Sequence, residues 1–498
     1  MVWWSTAAVS GLVIVLTFWM YWRWRNKRLL ALAAKIPGPP AWPILGNALL
    51  FMANPEEILS SIQKLTQTYG EYMRFWLGPE LNITVKNPAD IRMLLTSNKV
   101  NKKGPAYEFM KLYIGPGILT GGPTWRNHRK IATPSYSKKA VQHFMTIFNE
   151  EAERLTTVLL NKNPTVTFDV YNDVVQSTTQ SVCQTLMGLS KEDSQNIKKL
   201  NEVVVCTQGM YSLIFLKMTR WWYHIPLVFW LVGGKKKEDY YLHVINEMTT
   251  DIVNKRRNSL ENCEHVNEEA MGIVDRYILS KELSEKEIIC ETFSLFTTSQ
   301  EASAKLASAV LLFLAHLPDW QDKVYDEIVA VMGPVDRHVS EDELKKLLYL
   351  DMVYKEALRY LAIAALIQRT VEEEIAINDG NITLPAGTTL ALLIHDLHRD
   401  PQYWEEPNKV KPERFMPENM INRDRNAFVP FSLGAMDCLG RVYATALIKT
   451  IVVRTLRHLH LSADGALEDL EIHVAVSVNP NSNAQLVNWT IVLSKVTT

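Results

Sequence analysis

The chain has 498 residues, with 53 Lys+Arg against 54 Asp+Glu and 47% hydrophobic residues. That size and apolar content support a large core. The balanced charge, with no basic tract interleaved with aromatics, argues against a nucleic-acid binder. Five scattered cysteines (Cys183, Cys206, Cys263, Cys290, Cys438) form no C-x-x-C pair, so neither a zinc site nor a disulfide scaffold is indicated. The odd count fits a reducing compartment with one chemically special thiol.

From the N-terminus, Val2 to Trp22 is almost uncharged and long enough to cross a bilayer as a helix. Trp3, Trp4, Trp19, Tyr21 and Trp22 lie near its two ends, as interfacial aromatics do, and Arg23, Arg25, Lys27 and Arg28 follow at once. The positive-inside rule then places the rest of the chain in the cytosol. A cleaved signal peptide is disfavoured, because the positive charge follows the apolar stretch and no A-x-A-like site ends it. We expect residues 1–28 to be a membrane anchor with a basic stop. Residues 29–47, with Pro37, Pro39, Pro40 and Pro43, read as a stiff hinge. Residues 48–498 read as a single body.

That body is expected to be mainly α, with small peripheral β-sheets. Strand-like alternation occurs near Leu81–Lys86, Thr370–Ile377, Thr388–Ile394 and Leu470–Val478, and the last pairs naturally with Gln485–Val496. Trp125 and Arg129 stand four apart on one helix face. Gly233-Gly234-Lys235-Lys236-Lys237 reads as a solvated turn opening a helix. A long helix is predicted from about Ser284 to His316. Glu356 and Arg359 form an E-x-x-R whose i, i+3 spacing lets the two side chains pair. His398-Arg399-Asp400-Pro401 and Pro412-Glu413-Arg414-Phe415 follow. Last comes Phe431-Ser432-Leu433-Gly434-Ala435-Met436-Asp437-Cys438-Leu439-Gly440, just before a helix-like run from Val442 to His458. A thiolate is favoured at a helix N-terminus. Flanking glycines let a flat, bulky group lie close to the backbone. Cysteine thiolate is one of the few axial ligands that proteins offer haem iron.

In this order, the motifs resemble the cytochrome P450 enzymes, and F-x-x-G-x-x-x-C-x-G resembles their haem-binding loop. Tyr113–Thr120, Arg129–Pro134 and Lys323–Ile328 are similar to the microsomal clan that contains family 4. The resemblance implies a P450 fold behind one N-terminal transmembrane helix. It implies haem b with Cys438 as the metal ligand. Trp125, Arg129, Arg369, Phe431, Gly434 and Gly440 are then also cofactor-binding, and Glu356, Arg359 and Arg414 form a structural Glu–Arg–Arg network. It further implies an endoplasmic reticulum membrane protein with its catalytic domain in the cytosol. Electrons would come from NADPH–cytochrome P450 reductase, with cytochrome b5 a second donor, docking on a basic face that includes Arg126, Lys130 and Arg441.

The pattern is broken at several points. Counting back from Pro318 aligns the oxygen-activating stretch with Thr298-Ser299-Gln300-Glu301-Ala302-Ser303. Glu301 supplies the acid, Ala302 replaces the hydrogen-bonding threonine, and Ser303 offers a neighbouring hydroxyl; these three are the candidate catalytic positions. Ser299 replaces a glycine, and Thr298 replaces a glutamate that esterifies haem in related enzymes, so no covalent link is expected. Met436 stands where an arginine usually meets a propionate, and the prolines usual after the E-x-x-R helix are missing. The preferred reading is a monooxygenase that inserts one atom of O2 into an apolar small molecule such as a lipid, terpenoid or xenobiotic. Two rivals stay open: a reductase-independent haem-thiolate isomerase or dehydratase, and a non-catalytic haem protein binding a lipophilic ligand. Residues 102–123 and 206–230 are candidates to line or cap the substrate pocket. Trp221, Trp222 and Trp230 are candidates for membrane contact, with core packing as the alternative.

Overall fold

A computed structural model of the chain describes residues 2–52, 55–163, 166–197, 199–262, 267–421, 423–465, 467, 472–474, 478–480 and 490–495. Cys263 lies outside the described residues. Helices dominate. The longest, Glu285–His316, starts at a capping box in which Ser284 and Glu287 satisfy each other's backbone N–H groups. It stops where Leu317 leaves the helical conformation ahead of Pro318, which cannot continue the ladder. Most of this helix is buried, which calls for partners on every side. Tyr171–Thr185, Gly234–Glu261, Leu348–Leu361 and Arg441–Leu456 pack round it, and Lys138–Leu160 backs both Arg441–Leu456 and Tyr171–Thr185. One large apolar core runs through these helices.

A five-stranded sheet holds a second, smaller core. Its order is Tyr72–Leu77, Glu80–Val85, Thr389–Leu393, Leu366–Thr370, Lys102–Lys103. All pairs are antiparallel except Glu80–Val85 with Thr389–Leu393. The register sets Lys103 opposite Arg369.

The proline-rich connector lies against the edge of this sheet. Asn47 fixes it: its side chain donates to the Pro40 carbonyl at 2.9 Å and accepts from the Trp76 N–H at 2.9 Å. Ahead of it, Val2–Arg25 is a 24-residue helix, roughly 36 Å long at 1.5 Å per residue. The side chains of residues 2–9, 11 and 12, Trp3 and Trp4 among them, lie outside the described set. Among the described residues, no helix is long and apolar enough to cross a membrane.

Two strand expectations need correcting. Ile472–Val474 pairs with Val478–Pro480, not with the C-terminal segment. Thr490–Lys495 instead pairs with Leu459–Ser462 and Phe168–Asp169. A hairpin across three intervening residues costs less closure entropy than a longer loop, and Pro480 cannot donate onward. The other is the stretch Thr370–Ile377, which is divided: Thr370 ends one strand, and Ile375–Ile377 forms a separate hairpin with Ile382–Leu384.

Candidate active site

The Cys438 loop is closed by its own backbone, with the Cys438 N–H donating to the Phe431 carbonyl at 2.8 Å. Gly434 has φ +78°, and a Cβ there would overlap the Leu95 carbonyl. Only glycine suits that position. Gly440 caps the Arg441–Leu456 helix, and its N–H donates to the Cys438 sulfur. Burial pushes the Cys438 thiol up; the Gly440 N–H, Arg129 and Arg441 pull it down, and Asp437 opposes them. Despite being surrounded by protein, Cys438 counts among the exposed residues. Its thiol therefore faces an open space inside the molecule.

The long helix packs against the Arg441–Leu456 helix that follows this loop. From Glu291 to Ala315 every residue is buried except Thr298, Ser299 and Ala302. Their i, i+1, i+4 spacing makes one narrow strip. Tyr136 ties this strip to the cysteine loop: its hydroxyl lies 3.2 Å from Ser299 Oγ, and its ring flanks Gly440. Of the three residues expected to be catalytic, Ala302 is on the strip. Glu301 is buried in an ion pair with Lys305, Oε1 to Nζ 2.5 Å, and neighbours Tyr211 and Tyr171 on adjacent helices. Ser303 is buried.

Three cations gather near the loop. Burial pushes Lys103 well down, and nearby Arg369 and Arg129 push it further. Arg369 is itself buried, which pushes its guanidinium down. Among the described residues neither Lys103 nor Arg369 has a carboxylate partner. Lys103 sits over the Tyr107 ring at 4.7 Å, and Arg369 donates to the Gln368 carbonyl at 2.9 Å. Arg129 holds Asp437 by two bonds, to Oδ1 at 2.5 Å and to the backbone carbonyl at 2.7 Å. Trp125 is buried in the same helix, with the Arg126 guanidinium 5.1 Å from its ring centre. A buried Arg369 beside a half-buried Lys103, both short of anions, calls for an anionic ligand. A flat group with a thiolate-seeking metal and two carboxylates satisfies both the open thiol and this cluster, so the residues present fit haem.

Behind the loop, Glu356 and Arg359 pair in two bonds, 2.8 and 2.7 Å, with both side chains fully buried. Arg359 also donates to the carbonyls of His398, Pro407 and Lys409. Arg414 closes the network on Glu356 at 3.4 Å and donates to the Glu405, Glu406 and Lys409 carbonyls. One carboxylate and a set of carbonyls thus satisfy the Arg359 guanidinium in full and both terminal nitrogens of Arg414, whose Nε meets Glu356 only as an ion pair; pairing of this kind is the condition for such a cluster to persist. His398 Nε2 accepts from the Val429 N–H at 3.1 Å, joining this network to the cysteine loop.

Sequence reasoning missed four residues here. Lys103 gains its place through strand pairing with Arg369, and Tyr136 reaches Ser299 across 163 residues. Glu291 accepts from the Ile118 N–H at 2.9 Å and bonds His128 at 2.8 Å, clamping the 113–121 loop to the long helix. Lys305, four residues after Glu301, was legible as an i, i+4 pair.

Comparison with known proteins agrees with this geometry. The family model for cytochrome P450 matches residues 36–487. Cytochrome P450 4V2 of Homo sapiens is 28% identical over 480 residues, 92% of this chain and 89% of that protein. Cytochrome P450 4d1 of Drosophila melanogaster is 28% identical over 479 residues, 90% and 92% of the two chains. Cytochrome P450 4c3 of the same fly is 26% identical over 509 residues, 97% and 94%. A cysteine loop open to an enclosed space, a cation cradle and a match over most of the chain agree: this protein belongs to the cytochrome P450 family, and it is a haem-thiolate monooxygenase.

Proposed function

We propose that Cys438 is the iron ligand and that the protein is membrane-anchored, inserting one oxygen atom from O2 into an apolar small molecule with electrons from NADPH–cytochrome P450 reductase, and with cytochrome b5 as a second donor. The observation that carries this is a Cys438 thiol that stays open although protein surrounds it, in a loop that Tyr136 links to the partly open Thr298–Ser299–Ala302 strip. Haem bound there supplies the oxygen-activating chemistry, since a thiolate ligand favours O–O cleavage. The chain's own residues do the rest. Arg129, Arg369, Lys103 and the Trp125 indole N–H hold the propionates. Phe431, Gly434 and Gly440 shape the loop, and the Gly440 N–H stabilises the thiolate sulfur. Glu356, Arg359 and Arg414 keep the segment behind it rigid. Ala302 presents a methyl where a hydroxyl would order water, and Glu301 and Ser303 lie just behind it.

Arg126, Lys130 and Arg441 are exposed round the cysteine side and suit an acidic electron donor. Supporting a membrane pose, Trp221 and Trp230 are 58% and 65% exposed and so do not pack in the core. We assign residues 1–28 as anchor, 29–47 as hinge and 48–498 as the haem-thiolate catalytic domain at the endoplasmic reticulum. Deleting residues 1–30 then moves much of the protein to the soluble fraction, whereas unchanged alkali-resistant integration would refute the anchor. The test of function is reconstitution with reductase, NADPH and a panel of lipids, terpenoids and xenobiotics under labelled dioxygen. One labelled oxygen in a product supports the proposal. Rearranged hydroperoxides without NADPH consumption would replace it with the isomerase reading.

A further inference from the structure

We propose that Ser299 is the hydrogen-bond donor on the face opposite Cys438, with Tyr136 as its positioning residue, together taking the role that Ala302 cannot fill. This rests on the haem-thiolate reading above. The strip facing the enclosed space carries three side chains. Ala302 has no hydroxyl. The Thr298 hydroxyl is spent on its own helix, donating to the Ser294 carbonyl at 2.7 Å. The same i−4 bond is made by Thr292 on this helix and by Thr179 and Ser181 nearby. Such back-bonding is the usual fate of a hydroxyl in a buried helix. Ser299 departs from it, because its hydroxyl meets the phenol of Tyr136 at 3.2 Å.

A phenol and a serine hydroxyl each carry one proton. When Tyr136 donates to Ser299 Oγ, the serine proton is free to point into the space between the strip and Cys438. The reverse direction would leave the phenol proton without an acceptor among the described residues. Burial raises the Tyr136 phenol well above its ordinary range, so it stays protonated. Its ring is fixed by an edge contact with Tyr443, with centroids 6.0 Å apart at 80°. Tyr443 is itself bonded to Thr185 at 2.8 Å. The donor is thus held by packing and does not depend on a mobile water.

The experiment uses the full-length haem-loaded protein, reduced under carbon monoxide, with the C–O stretch read by infrared spectroscopy. A donor to the oxygen end of the bound diatomic lowers that frequency. Ser299→Ala and Tyr136→Phe should each raise it, with the double variant no higher than Ser299→Ala alone. Tyr136→Phe keeps the ring and its packing, and Ser299→Thr should restore the frequency. Product formed per NADPH should fall roughly ten-fold in Ser299→Ala. An unmoved stretch in Ser299→Ala, or a shift there with none in Tyr136→Phe, overturns the pair. Loss of the thiolate-type Soret band in the wild type would instead refute the haem-thiolate reading.

Discussion

Glu301→Gln tests what the buried acid of the long helix does. In the wild type its carboxylate lies 2.5 Å from Lys305 Nζ, with the two side chains 10% and 4% exposed. The amide keeps the shape but removes the negative charge that lies 2.5 Å from the ammonium. Removing one partner of a buried pair costs about 3–5 kcal/mol, whereas replacing both with neutral groups is close to neutral. At about 2.1 cal/mol/K per residue, the 498 residues give roughly 1 kcal/mol per degree near the transition. Glu301→Gln should therefore lower the Tm of the haem-loaded protein by about 3–5 °C, and adding Lys305→Met should recover most of that loss. Product per NADPH, measured in the double variant, then isolates the part Glu301 plays in proton delivery. A drop below about 1 °C in Glu301→Gln, or a double variant as unstable as the single, would refute the ion-pair account.

Three further outcomes follow. Lys103→Met should raise the fraction of haem lost to an acceptor protein several-fold, and Met436→Arg in that background should restore retention; equal retention in Lys103→Met contradicts the cation assignment. Acid–acetone extraction should free all the haem, because Thr298 replaces the esterifying glutamate and its hydroxyl is bound to Ser294. Burial, and then Arg359, pushes His398 down to about 3, while an unfolded histidine titrates near 6.5. Between those values the unfolded chain binds the extra proton, so stability falls as pH drops from roughly 6.5 toward 3. His398→Gln should flatten that part of the stability–pH curve, and an unchanged slope would assign it to other groups.

What was legible in the sequence was local. Glu356 with Arg359, Trp125 with Arg129, and the Cys438 loop with its following helix all rest on spacings within one or two turns, and backbone geometry fixes what such spacings bring together. Ser284 announced the start of the long helix, because a Ser three residues ahead of Glu287 is a capping box. Contacts between distant segments were not legible. Lys103 meets Arg369 only because Lys102–Lys103 joins the edge of the five-stranded sheet, and a two-residue strand leaves no periodic signal. Tyr136 reads as an ordinary aromatic until the Tyr443 packing aims it at Ser299. The C-terminal pairing went astray because alternation marks a strand without naming its partner.

The central claim is that Cys438 holds the haem iron. Full-length protein, reduced and exposed to carbon monoxide, should show the red-shifted Soret band of a thiolate-ligated iron. Cys438→Ser should abolish that band. A red-shifted band that persists in Cys438→Ser would contradict the account.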